Sequence, residues 1–274
     1  MHGLSVIYVI WLRENKNFIR ERSRIIGMIS QPLLYLLLVG QGIASGLSLN
    51  QAPGGLGYLL FMYPGIIGMS VLFTSIISGI SIIWDREFGF LKEVLVAPVP
   101  RWAVAVGKIL GGATVAMAQA VILIALAPFI GVSLSVIVVL KMLAVCFLIS
   151  MAITGLGVFI AVPMRSMQGF QMVMNFLVMP LYFLSGAMFP VSSAPAWMRV
   201  LMTVNPLTYG VDGLRIIVLS AATSSASSEL SLADAARASG LVRWNLSLDI
   251  AMMALISALI TILAAARFNR ASNV

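Results

Sequence analysis

One cysteine, one histidine and nine acidic residues are all that 274 residues supply of the groups most enzymes work with. Cys146 alone cannot close an intrachain disulfide or build a thiolate metal cluster, and His2 has no ligand partners near it, so no metal site is expected. Glu14, Glu21, Asp85, Glu87 and Glu93 lie within the first 93 residues, Asp212, Glu229, Asp234 and Asp249 within the last 63. None falls in the middle of an apolar run. That leaves no paired carboxylates and no nucleophile with its base. It also leaves none of the midplane ionisable groups that proton- or sodium-coupled transporters keep. The phosphate-cradling pattern G-x-x-x-x-G-K-[ST] is missing too: ahead of Gly107-Lys108-Ile109, Trp102 stands where the first glycine belongs, and no hydroxyl follows the lysine. The chain is not expected to be an enzyme or to hydrolyse ATP by itself, and no cofactor is expected in it.

Charge is the other scarcity. Charged residues make up 9% and hydrophobic residues 61%, with a mean hydropathy of +1.05. Such a chain has too little polar surface to cover a water-soluble globule, so it reads as an all-α, polytopic membrane protein. The net charge of +8 sits beside apolar runs, where basic residues set orientation and meet anionic lipid headgroups. Nucleic acid is therefore not expected as a partner.

What is present is a contrast. Residues 25–84 carry no charge, residues 85–108 carry seven, and the next 32 again carry none. About 20 apolar residues cross a bilayer, so the charged island is an aqueous-side connection between spans. The patterning predicts six spans near 25–47, 58–84, 104–129, 136–162, 169–184 and 246–266, all within one domain over 25–270. Asn50-Gln51-Ala52-Pro53-Gly54-Gly55 supplies turn chemistry between the first two. Residues 1–24 predict an amphipathic interfacial helix, with Ile7, Trp11 and Phe18 on one side and Arg13, Lys16, Arg20 and Arg24 on the other; an irregular solvated lead-in is the alternative. Lys and Arg number twelve on the side holding the N-terminal arm, the island and the tail, and four on the other. Both termini are accordingly expected in the cytoplasm. Lys141, inside the fourth span, is expected to snorkel to the outer interface.

Polar residues within spans form two stripes. Gln168, Gln171 and Asn175 fall three and four apart on the fifth span, and Ser70, Thr74, Ser78 and Ser81 do so on the second. Buried amides need partners, so Gln171 and Asn175 read as pathway or dimer-seam residues. The hydroxyls of Ser70, Thr74 and Ser78 fit either a pathway or close helix packing. Gly107 and Gly111 form a small-x-x-x-small pair suited to packing. Within the island, Phe88, Leu91 and Leu95 share one side, leaving Glu87, Lys92 and Glu93 to solvent. Spacing alone leaves open a surface helix or an ordinary basic loop, ended by Pro98 and Pro100.

The island D-R-E-F-G-F-L-K-E-V-L-V-A-P-V-P-R-W-A-V-A-V-G-K resembles the signature between the second and third spans of type-2 ABC transporter permeases, a family that includes daunorubicin-resistance and nodulation-factor exporter subunits. A second block, F-P-V-S-S-A-P-A-W-M at 189–198 followed by N-P-L-T-Y-G-V-D-G-L-R at 205–215, resembles that family's segment after the fifth span, where short outer helices precede the sixth. The resemblance covers nearly the whole chain; a serine-rich insert at 221–240 departs from it.

The resemblance implies the membrane subunit of an ATP-driven exporter in a prokaryotic inner membrane. It would move an amphipathic drug, lipid or lipid-linked glycan through a path formed by two permease chains, with ATP and Mg bound by separate ABC ATPase subunits. It implies a cytoplasmic coupling helix made of Arg86, Glu87, Phe88, Gly89, Phe90, Leu91, Lys92 and Glu93, and an outer-segment motif holding Asn205, Pro206, Tyr209, Asp212 and Arg215. The three-residue spacing of Asp212 and Arg215 allows a helical ion pair of structural use. The rival reading is a nucleotide-independent secondary transporter or a scaffold subunit of a membrane complex.

Overall fold

Long apolar runs with no sheet-like alternation satisfy their backbone groups internally, and in a bilayer that favours helices. The computed structural model describes residues 3–38, 58–96, 98–223 and 242–271, and all regular structure among these is helical. The helices are α1 (Gly3–Arg20), α2 (Arg22–Leu37), α3 (Tyr58–Ser78), α4 (Ile80–Glu87), α5 (Phe90–Val96), α6 (Arg101–Ala125), α7 (Val136–Ala161), α8 (Met167–Phe183), α9 (Ala196–Val204), α10 (Pro206–Thr223) and α11 (Leu246–Ala271). Single 3-10 turns occur at Ala127–Ile130 and Val191–Ser193. The turn expected at 50–55, the outer part of the first expected span, and the insert beyond Thr223 lie outside the described residues.

Among the described residues four stretches are long and apolar enough to cross a membrane: Leu60–Glu87, Arg101–Ala125, Val136–Ala161 and Leu246–Arg270. Their bounds agree with the expected second, third, fourth and sixth spans to within a few residues. The first expected span contributes Ile25–Leu37. The fifth expected span falls on α8, which is not one of those four: its 17 residues extend roughly 25 Å against about 30 Å of hydrocarbon.

Local sequence explains the boundaries. Ser135 and Ser166 cap α7 and α8 by accepting the backbone N–H groups of Val138 and Gly169. Pro98 and Pro100 separate α5 from α6, and Pro100 precedes α6 in extended conformation. In α2, Pro32 has no N–H to give Met28, four residues earlier; the Gln119 amide of α6 donates to the Met28 carbonyl instead, at 3.1 Å. Helix α7 packs against α3, α6, α10 and α11, and α1 lies along α6. Of the four apolar stretches Leu60–Glu87 is the most enclosed and Leu246–Arg270 the least. Helix α8 touches chiefly α3 and α4, which leaves much of its surface bare.

The α1–α6 contact depends on two glycines. A Cβ at Gly107 would come within 2.9 Å of the Ile10 Cβ, and one at Gly111 within 2.6 Å of the Glu14 Cβ, so this small-x-x-x-small pair serves packing of the N-terminal helix. Gly111→Val should therefore push α1 off α6 at a cost of about 1–3 kcal/mol. The readout is thermal inactivation in detergent together with protease cutting within residues 1–24. Gly27→Ala, where an added Cβ meets nothing within 4 Å, serves as control; equal stability and protection in both variants would refute the packing role.

Candidate functional site

The charged island folds as the end of one span, a tight reversal and a short helix. Helix α4 carries Asp85, Arg86 and Glu87; Phe88 donates its N–H to the Trp84 carbonyl at 2.9 Å and Gly89 follows at φ +80°. That left-handed conformation favours glycine, and it turns the chain into α5. The tip is open: Glu87 and Glu93 are exposed, and Phe88 and Val96 are 82% and 88% exposed. The side chains of Leu91, Lys92 and Leu95 lie outside the described residues.

Beneath this tip lies a charge cluster drawn from three distant segments. Asp85 accepts two hydrogen bonds from Arg13 of α1, at 2.5 and 3.0 Å. Lys108 of α6 pairs with Asp85 at 2.5 Å and with Glu14 at 2.9 Å, and donates to the Ser81 hydroxyl at 3.1 Å. The Arg13 guanidinium also sits 3.6 Å from the centre of the Phe90 ring, so α1 holds both sides of the reversal. Two cations meet two anions, so the Lys108 side chain, only 1% exposed, has a carboxylate on either side in Asp85 and Glu14. Burial of Arg13 opposes its charge. The hydrogen bond and charge of Asp85, with Glu14, outweigh that and hold its pKa above the ordinary value. Alongside, the Trp11 indole N–H donates to Thr114 Oγ1 at 2.9 Å. Arg86 turns the other way and donates to the Val162 and Met164 carbonyls at the end of α7, at 2.7 and 2.5 Å.

This arrangement corrects two readings of the sequence. The expected coupling helix over Arg86, Glu87, Phe88, Gly89, Phe90, Leu91, Lys92 and Glu93 is not continuous: α4 ends at Glu87 and α5 starts at Phe90, because Gly89 at φ +80° reverses the chain, so exposed Phe88 shares no helical side with Leu91 and Leu95. Arg13 was expected on the solvent face of the N-terminal helix with Lys16 and Arg20; those two are exposed, whereas Arg13 is half-buried against Asp85. A helical projection assigns faces but cannot see a counter-ion 72 residues away. The four-residue cluster was not legible as such. Its one local signal was Lys108, a basic residue well inside an apolar helix, which calls for an acidic partner.

The outer motif is a clasp on the end of α8. Helix ends leave carbonyls without donors. Here Asn205 Nδ2 donates to Leu181 O at 2.7 Å, Thr208 Oγ1 to Leu184 O at 3.0 Å, and Arg215 Nη2 to Gly186 O at 2.8 Å. Pro206 opens α10 where a missing N–H costs nothing, and Asn205 Oδ1 caps it through the Leu207 N–H. The Tyr209 hydroxyl donates to Thr203 O at 2.7 Å while its ring stacks on Trp244 with centroids 4.7 Å apart. Asp212 and Arg215 feel each other's charge. The hydrogen bonds of Asp212, however, come from the backbone N–H groups of Arg243 and Trp244, so it fastens the segment leading into α11.

The two stripes part company. Gln168, Gln171 and Asn175 are all exposed on α8. On the second span Ser70 and Thr74 are buried beside a cavity of about 320 Å³, with Thr74 bonded to the Gln119 amide. Ser78 returns its proton to its own helix at Thr74 O, and Ser81 accepts from Lys108. Lys141 is exposed on α7. Among the described residues no group of three or more His, Cys, Asp or Glu could hold a metal.

Residues 5–219 match the family model for the ABC-2 type transporter. The putative transport permease ycf38 of Cyanophora paradoxa is 31% identical over 213 residues, covering 73% of this chain and 70% of its own. The inner membrane transport permease YadH of Escherichia coli K12 is 26% identical over 211 residues, covering 75% and 80%. The probable multidrug ABC transporter permease YbhR of the same strain is 28% identical over 177 residues, covering 62% and 46%.

Proposed function

The chain belongs to the ABC-2 type transporter family as a multi-pass membrane permease, and on that premise we propose that it is the pathway-forming half of an ATP-driven exporter. Two copies of it form the path, and two copies of a separate ABC ATPase bind beneath and hold the ATP and Mg. Residues 85–96 are the coupling element. The observation that carries this reading is the exposed tip Glu87, Phe88, Glu93 and Val96 fixed upon the buried Arg13–Asp85–Lys108–Glu14 cluster. A docking element must transmit force into the spans, and this one is bound to α1, α6 and the end of α7. Arg86 supports the tip from behind, Glu87 and Glu93 face the partner, and Phe88 is the apolar plug.

The orientation puts both termini and the island in the cytoplasm, in keeping with the distribution of Lys and Arg. The six spans keep the bounds expected from the sequence, with α8 crossing a locally thinned bilayer. The cargo is amphipathic: a drug, a lipid or a lipid-linked glycan.

The bare face of α8 supports a paired chain. Gln171 and Asn175 stand exposed among Met172, Phe176 and Met179, and amides facing hydrocarbon are costly without partners. Cysteines at either position, with Cys146 replaced, should crosslink to their counterparts in a second copy. Asn175→Leu should weaken the pair by about threefold to twentyfold, which is about 0.6–1.7 kcal/mol for a bond between helices in a membrane, and should lower ATP-driven transport. Wild-type transport by Asn175→Leu and no crosslink at either position would contradict the seam.

A further inference from the structure

A second feature of the spans has no part in coupling. Between α2 and α3 lies the cavity of about 320 Å³, with Tyr35, Phe73 and Trp84 among its apolar walls and Gln31 and Ser70 among its polar ones. Gln119, also at its wall, is already committed to Thr74 and the Met28 carbonyl. Gln31 and Ser70 are not: among the described residues neither has a hydrogen-bond partner. For Ser70 this is unusual, because it is 93% buried and a serine in a helix can bond its own backbone, as Ser78 does. An unpaired hydroxyl and an unpaired amide beside three aromatic rings form a site with its polar and stacking groups already set out.

We infer that this cavity is a binding subsite for a small, planar aromatic amphipath of drug size, with its ring system among Tyr35, Phe73 and Trp84 and its hydrogen-bonding groups on Gln31 and Ser70. The inference rests on the exporter reading for its purpose and narrows its cargo. The volume lies at the lower end of the range of about 300–1,000 Å³ for small-molecule pockets. It accommodates a compact ring system, whereas a two-chain lipid or a lipid-linked glycan is too large for it. The site occurs in each copy, so binding to it does not require the seam.

The test uses the purified full-length chain in lipid nanodiscs with rhodamine 6G and Nile red, one cationic and one neutral planar probe, followed by fluorescence anisotropy without nucleotide. Saturable binding of at least one probe by the wild type is expected. Gln31→Leu should weaken it by about threefold to tenfold, the worth of one hydrogen bond. Ser70→Trp, which fills the cavity, should abolish it, and a labelled two-chain phosphatidylethanolamine should not compete. Gln31 is exposed, so its variant reports on binding even where Ser70→Trp fails to fold. No saturable binding by the wild type, unchanged affinity in Gln31→Leu, or displacement by the lipid would overturn the subsite. The exporter reading fails separately: probe binding that follows this pattern without ATP-driven transport by the assembled complex removes the exporter and leaves the site. ATP-driven transport with binding indifferent to both substitutions does the reverse.

Discussion

Asp85→Ala is expected to be the most damaging single substitution at the cytoplasmic end of the molecule. It leaves Arg13 without the acceptor of two hydrogen bonds and leaves Lys108, only 1% exposed, with Glu14 as its one remaining anion. Removing one partner from a buried charge pair typically costs about 3–5 kcal/mol, because the remaining charge stays desolvated. Helix α1 should come loose, and with it Phe90 and the reversal at Gly89 that presents the tip. Thermal inactivation in detergent and protease sensitivity of residues 1–20 are the direct readouts. A double-mutant cycle separates the cluster from ordinary packing: Lys108→Met alone leaves an excess of buried negative charge, whereas Lys108→Met with Glu14→Gln restores neutrality and keeps the Arg13–Asp85 pair. The double variant should be more stable than Lys108→Met, although it carries one more substitution. Additive losses would show that the four groups act independently.

The cluster also shows how far the sequence could be read. Spans are legible because a lipid environment imposes a local rule, about 20 apolar residues without charge, and the four long apolar helices fall close to where that rule puts them. The rule weakens for α8, where Gln168, Gln171, Asn175 and Pro180 interrupt 17 residues. It also misses the break at Gly79 between α3 and α4. Pairings between distant segments follow no local rule at all. Nothing in the spacing of residues 1–24 says that Arg13 turns inward, since its partner comes 72 residues later. In the same way Gln119 is legible as a polar residue in a span, but not as the donor that Pro32 withholds from Met28.

The outer motif is an intermediate case. Asn205-Pro206 starts α10 by local chemistry, Asn205 Oδ1 accepting the Leu207 N–H and Pro206 standing where no N–H is needed. That the following side chains close the carbonyl end of α8 depends on a return of the chain that spacing does not encode.

The exposed tip is, on the proposed function, the place where a separate ATPase engages. Glu87 and Glu93 are exposed and lie outside the buried cluster, so reversing their charge should leave insertion and folding unchanged while setting two repulsive contacts against the partner. Wrong-sign juxtapositions at an interface cost several kcal/mol, and about 3 kcal/mol already weakens binding more than roughly a hundredfold. The measurement is recovery of a co-expressed ABC ATPase subunit with the tagged permease, alongside ATP-driven transport in inverted vesicles, for the wild type and for Glu87→Lys with Glu93→Lys at equal membrane levels. The account predicts that the wild type retains the ATPase and transports, and that the double variant inserts normally but loses both. Full recovery of the ATPase and full transport by the double variant would contradict it.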